Sequence, residues 1–100
     1  MALDPRRTVN VSVQVLPLMD DPFPVVEQAI AVLAAGGLRY EVGPMETVLE
    51  GPLDQALALA RAAHLACLEA GAPRLVTIIK IGDAPGGTTI EEKVARYRQK

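Results

Sequence analysis

One hundred residues with a net charge of −2 are enough for one domain and too few for two. The near-neutral balance argues against a nucleic-acid partner, which favours a strong basic patch. The single cysteine, Cys67, excludes a disulfide framework and a cysteine-rich metal site. Half of the residues are hydrophobic, yet the aromatic ones are Phe23, Tyr40 and Tyr97 alone, so the core is expected to be built from Val, Leu, Ile and Ala.

Residues 1–8, MALDPRRT, read as a flexible polar tail ahead of a single domain over 9–100. No apolar stretch of signal-peptide length follows its charges, and no later run is long enough to span a bilayer, so a soluble cytoplasmic protein is expected. The stretch VNVSVQVLPL then alternates. Val9, Val11, Val13 and Val15 fall on one face, and Asn10, Ser12, Gln14 and Leu16 on the other, which predicts a strand ended by Pro17. MDDPFP is a loop. From Val25 to Ala35 the period becomes helical, through Val26, Ala29, Ile30 and Leu33, and Gly36-Gly37 supplies the stop.

Leu38 to Val42 and Met45 to Glu50 alternate again as a second and a third strand around a Gly43-Pro44 turn. Pro52 suits the first turn of a helix over 53–70, which Gly71 caps. That helix is apolar nearly all round, with Leu53, Leu57, Ala60, His64 and Cys67 on one face, and so is expected to pack on more than its sheet side. PRLVTIIKIG is a fourth strand, DAPGG a loop, and TTIEEKVARYRQK a C-terminal helix opened by a capping box from Thr88 or Thr89. The order β-α-β-β-α-β predicts a ferredoxin-like α+β fold: an antiparallel sheet in the order 4-1-3-2 with two helices on one face, plus the C-terminal helix.

Few residues carry chemistry. His64 and Cys67 lie one helical turn apart, but two ligands make a poor zinc site and no third group orients them as a nucleophilic pair, so both are expected to be structural and no metal or catalytic residue is assigned. GDAPGGTT lacks the Gly-Lys-Ser/Thr ending of a P-loop, and a strand-to-helix turn is the simpler reading. What remains is polar content inside apolar strands: Ser12, Gln14, Thr47 and Lys80. Such groups suit either a wet sheet face or a pocket with apolar walls and a few directed polar groups.

Three stretches carry a resemblance. VSVQVLPL at 11–18, AIAVLAAGGLRYEVGPMETVLEG at 29–51 and ARAAHLACLEAGAPRLVTIIKIGD at 60–83 resemble the thiamine-binding-protein family of small ferredoxin-like proteins, and TIEEKVARYR extends the match towards the end of the chain. The resemblance implies a non-enzymatic binding protein for thiamine or its hydroxymethylpyrimidine part, with no cofactor beyond that ligand, and dimers that pair into tetramers. Glu46 stands between Met45 and Thr47 where the family often has a small residue. Chemically, Met45 offers adaptable contact to a flat ring, Ser12, Gln14 and Thr47 offer donors and acceptors, and Glu46 or Glu50 a carboxylate for a thiazolium cation. The candidate ligand-binding residues are therefore Thr47, Met45, Ser12, Gln14 and Glu50. Alternation places Met45, Thr47 and Leu49 on one face of their strand and Glu46, Val48 and Glu50 on the other, and leaves open which set joins Ser12 and Gln14. The alternative function is a structural or regulatory oligomeric module without a thiamine ligand. A small enzyme is the third reading, weakened by the lack of an acid/base pair.

Overall fold

A computed structural model of the chain describes residues 3–91. The elements follow as β1 (Thr8–Pro17), α1 (Phe23–Ala34), β2 (Arg39–Val42), β3 (Thr47–Pro52), α2 (Leu53–Glu69) and β4 (Leu75–Gly82). The sheet order is β2-β3-β1-β4, which is the expected 4-1-3-2 read from the other edge, and every neighbouring pair is antiparallel. The expected C-terminal helix lies outside the described residues except for its first two, Ile90 and Glu91.

Element ends differ from expectation where turn chemistry decides them. Helix α1 starts at Phe23 rather than Val25, because Pro24 in the first turn forfeits no hydrogen bond and its fixed φ suits the helix. Strand β3 starts at Thr47 rather than Met45: the Gly43 N–H donates to the Glu46 carbonyl at 2.9 Å, so Met45 and Glu46 belong to the turn. Helix α2 ends as expected. The Gly71 N–H donates to Leu68 O and the Ala72 N–H to Cys67 O, with Gly71 at φ +103°. A side chain at Gly71 would pay the left-handed penalty of about 1–2 kcal/mol.

The core lies between one sheet face and both helices. Val9, Val11, Val13 and Leu49 meet Val25, Ala29 and Leu33 of α1 and Ala56, Ala60, Ala63 and Cys67 of α2. Of the face expected to hold Leu53, Leu57, Ala60, His64 and Cys67, Ala60 and Cys67 are fully buried with Ala56 and Ala63, so α2 turns its small residues most deeply into the core. Alanine side chains let the α2 backbone come close to the sheet and α1, while Leu53, Leu57 and Leu59 fill the rim. Among the described residues no helix is long and apolar enough to cross a membrane.

Candidate functional site

With the valines of β1 turned to the helices, Asn10 and Ser12 face the other side of the sheet, and the register sets their neighbours. Asn10 pairs with Glu50 of β3 and Gly82 of β4, and Ser12 with Val48 and Lys80. Beyond them Arg39 pairs with Glu50 and Glu41 with Val48. Two cross-strand rows result: Arg39–Glu50–Asn10–Gly82 and Glu41–Val48–Ser12–Lys80. Gly82 carries no side chain, so the sheet dips beside Asn10.

A concavity of about 370 Å³ lies over these rows. Asn10, Ser12 and Val48 form its floor, Ile90 its apolar wall, Glu41, Glu46 and Lys80 its rim, and the β4 stretch at Ile81 and Gly82 its edge. The floor is dry and polar: Asn10 is 4% exposed and Ser12 8%. Among the described residues, the Asn10 side-chain amide and the Ser12 hydroxyl have no hydrogen-bond partner. Buried polar groups are normally satisfied, so three orphaned atoms in one concavity call for an explanation. At the rim, Lys80 Nζ lies 3.2 Å from Glu46 Oε2.

Ile90 is the one lining residue that comes from neither a strand nor the β2–β3 turn. Its N–H donates to Glu50 Oε1 at 2.7 Å, and Arg39 bridges Glu50 and Glu91. The same contacts bear on phosphate binding at GDAPGGTT. The Gly87 N–H is taken by Ala84 O, the Thr88 N–H by Thr8 O and the Ile90 N–H by Glu50, so an anion at this helix start would have to displace the chain's own acceptors.

The sequence-derived candidates divide between two places. Ser12 is on the floor of the open-face concavity, and Glu50 is on the same face, bonded to its wall. Thr47, 4% exposed, turns to the helix side with Leu49. Thr47, Met45 and Gln14 line a second concavity of about 350 Å³ between α1 and the sheet edge, with Phe23 and Val42 among its other walls. Glu46 borders both. Asn10 was not among the candidates. Its place in the same alternation set as Ser12, two residues away, is the signal by which the sequence could have found it.

His64 and Cys67 sit apart from both concavities. His64 Nδ1 and Thr77 Oγ1 share a hydrogen bond of 2.6 Å. Cys67 is fully buried, and burial pushes its thiol pKa up, away from the reactive thiolate. Among the described residues no three His, Cys, Asp or Glu side chains cluster in a way that holds a metal.

The comparisons with known proteins bear on this geometry. The family model for thiamine-binding protein matches residues 11–98. The chain belongs to the thiamine-binding protein family. It is 42% identical over 93 residues to a UPF0045 protein of Clostridium perfringens, covering 91% of this chain and 98% of that one. A solved structure of a domain of unknown function from Bacillus cereus superposes with TM-score 0.88 at 46% identity, over 93% of this chain and 92% of that one. Another, a candidate thiamine biosynthesis/salvage protein from Thermotoga maritima, superposes with TM-score 0.83 at 35% identity, over 91% and 99%. The family match takes in residues of both concavities, though not Asn10, and does not discriminate between them.

Proposed function

We propose that the protein is a non-enzymatic binding protein for thiamine or its hydroxymethylpyrimidine part, and that the aminopyrimidine ring sits on Asn10 and Ser12. The observation that carries this reading is the pair of buried, unpartnered polar side chains on the floor of the open-face concavity. An aminopyrimidine edge offers an amine donor beside a ring-nitrogen acceptor. An asparagine amide offers the complementary acceptor and donor, and the Ser12 hydroxyl supplies either. Val48 and Ile90 give the apolar contact that a flat ring needs, and the Glu41 and Glu46 carboxylates at the rim suit a thiazolium cation. A neutral amide and a hydroxyl bind but transfer no proton near neutral pH, which favours binding over catalysis. The lone buried thiol fits a reducing cytoplasm.

A second reading is favoured by β4. This edge strand leaves Val76, Ile78, Ile79 and Ile81 each at least two-fifths exposed, on both faces, with Lys80 as its only charge. Natural edges are normally blunted by charge, proline or shortness, as β2 is with four residues that include Arg39 and Glu41. Such an edge suits pairing with a second copy, in line with a homodimer or homotetramer, and an assembly module would need nothing more.

Calorimetry decides between them. Thiamine, hydroxymethylpyrimidine and thiamine phosphates are titrated into the wild type, Asn10→Leu and Ser12→Ala. Saturable binding weakened in both variants supports the site. Binding that survives both places the ligand elsewhere, and a wild type that binds none leaves the module.

A further inference from the structure

The orphaned atoms of Asn10 and Ser12 are shut off from solvent although they line a concavity. A ligand therefore reaches them only if part of the wall gives way. The strands of the floor are tied into the sheet on both sides, whereas the segment that carries Ile90 is tied down differently. Between Asp83 and Glu91 only Ile90 is buried, at 4% exposure. Its other attachments are polar and lie at its ends and middle. Arg7 Nε donates to Asp83 Oδ1 at 2.8 Å, the Thr88 N–H to Thr8 O at 2.8 Å, the Ile90 N–H to Glu50 Oε1 at 2.7 Å, and Arg39 to Glu91 at 2.7 Å. A segment with one apolar anchor and polar tethers, of which those from Arg7 and Arg39 are exposed, opens locally far more readily than a core strand.

We propose that residues 83–91 form a strap, latched by Glu50, that gates access to the Asn10–Ser12 floor. Glu50 is then a positioning residue and not a ligand contact: its carboxylate holds the first turn at Ile90 against the sheet, and Arg39 holds the carboxylate. A carboxylate at the start of a helical turn accepts a charge-assisted bond from an N–H that has no partner within the turn, so it suits the latch. The gate rests on the open-face reading of the ligand site, but it is a property of the free protein and is tested without ligand.

Two measurements on the full chain test it. The first is hydrogen exchange at the Ile90 amide, with the Val11 and Leu49 amides as reporters of the core. Glu50→Ala is expected to speed exchange at Ile90 roughly tenfold, the effect of losing one hydrogen bond to a charged group, and to leave the core amides unchanged. The second is thiol labelling of Ser12→Cys, which is expected to be roughly tenfold faster when Glu50→Ala is added. Cys67 is fully buried and contributes only a slow background. Arg39→Ala, at an exposed residue, is expected to give a smaller acceleration in both readouts and serves if Glu50→Ala does not fold. Unchanged Ile90 exchange, or unchanged labelling in a folded Glu50 or Arg39 variant, overturns the latch. If the wild type binds no thiamine, the ligand reading fails while both readouts still decide the strap.

Discussion

Replacing Asn10 by leucine separates a binding residue from a structural one, because the two roles predict opposite signs for stability. Asn10 sits at 4% exposure with both polar atoms of its amide unpartnered among the described residues. An unpaired buried polar group costs about 1–3 kcal/mol in protein hosts. Leucine keeps the approximate volume, removes that cost and joins Val48 and Ile90, with the space over Gly82 to take up the change in shape. Asn10→Leu is therefore expected to raise the stability of the ligand-free protein by about 1–3 kcal/mol. In a domain of this size each kcal/mol moves Tm by about 4–8 °C. The same change removes both partners of the aminopyrimidine edge, so thiamine affinity should fall at least tenfold, as expected for about two neutral hydrogen bonds. Urea unfolding at matched protein concentration reads the first effect and calorimetry the second; matching matters because self-association adds to apparent stability. A variant less stable than the wild type would mean that Asn10 is satisfied in the folded protein. A variant that keeps full thiamine affinity would remove the open face as the site.

Other outcomes follow from the same geometry. Thr47 faces the helices, so Thr47→Val should leave thiamine affinity unchanged within about twofold, whereas a loss near the ~1 kcal/mol of one hydrogen bond would move the ligand to the concavity beside Met45. Cys67→Ala should cost about 1–2 kcal/mol of stability and leave ligand binding alone, and the native thiol, its pKa raised by burial, should react with thiol reagents only on unfolding. The hydrogen bond from Arg7 and the Arg7 charge hold the Asp83 carboxyl below its ordinary 3.8. A depressed acid stabilises the fold above its unfolded value and loses that effect as pH falls through the folded one, so the gap in Tm between wild type and Asp83→Asn should be open at neutral pH and close in strong acid. Ile78→Lys on the exposed edge should shift any assembly towards monomer in sedimentation, and an unchanged sedimentation coefficient for an oligomeric wild type would clear β4 of the interface.

Strand and helix order was legible because punctuation and period agree. The valines alternating with polar residues from Val9 to Val15 favour a strand, to which the structure adds Thr8 from the expected tail, and Gly36-Gly37, Gly43-Pro44, Pro52 and Gly71 each fall where an element must turn or stop. The sheet order follows from that succession of elements. Boundaries were less legible where a proline suits either side of a helix start, as at Pro24, or where a turn borrows strand-like residues, as at Met45 and Glu46. Which side of α2 is buried most deeply was not legible, because the helix is apolar nearly all round and period alone does not choose among its faces. Close packing against α1 and the sheet instead selected the smallest side chains, Ala56, Ala60 and Ala63, and left the leucines at the rim.

The site was half legible for a physical reason. Period-2 alternation sorts each strand into two sets but does not couple the sets of different strands. Only the register does, and a slip of one residue exchanges the faces. Here Val13 pairs with Thr47 and Ser12 with Val48, so the two hydroxyl residues that the sequence offered together lie on opposite faces of the sheet. The burial of Asn10 could not be read locally, because it depends on Gly82 and on Ile90, which arrive from the far end of the chain. An asparagine in a strand has an ordinary solvated reading that costs nothing. It acquires a cost only when the strap lays Ile90 over it, and a fold that keeps an uncompensated amide under a closed wall is less stable than one with leucine there. On the function proposed above, a bound heterocycle that pairs with that amide would supply the compensation.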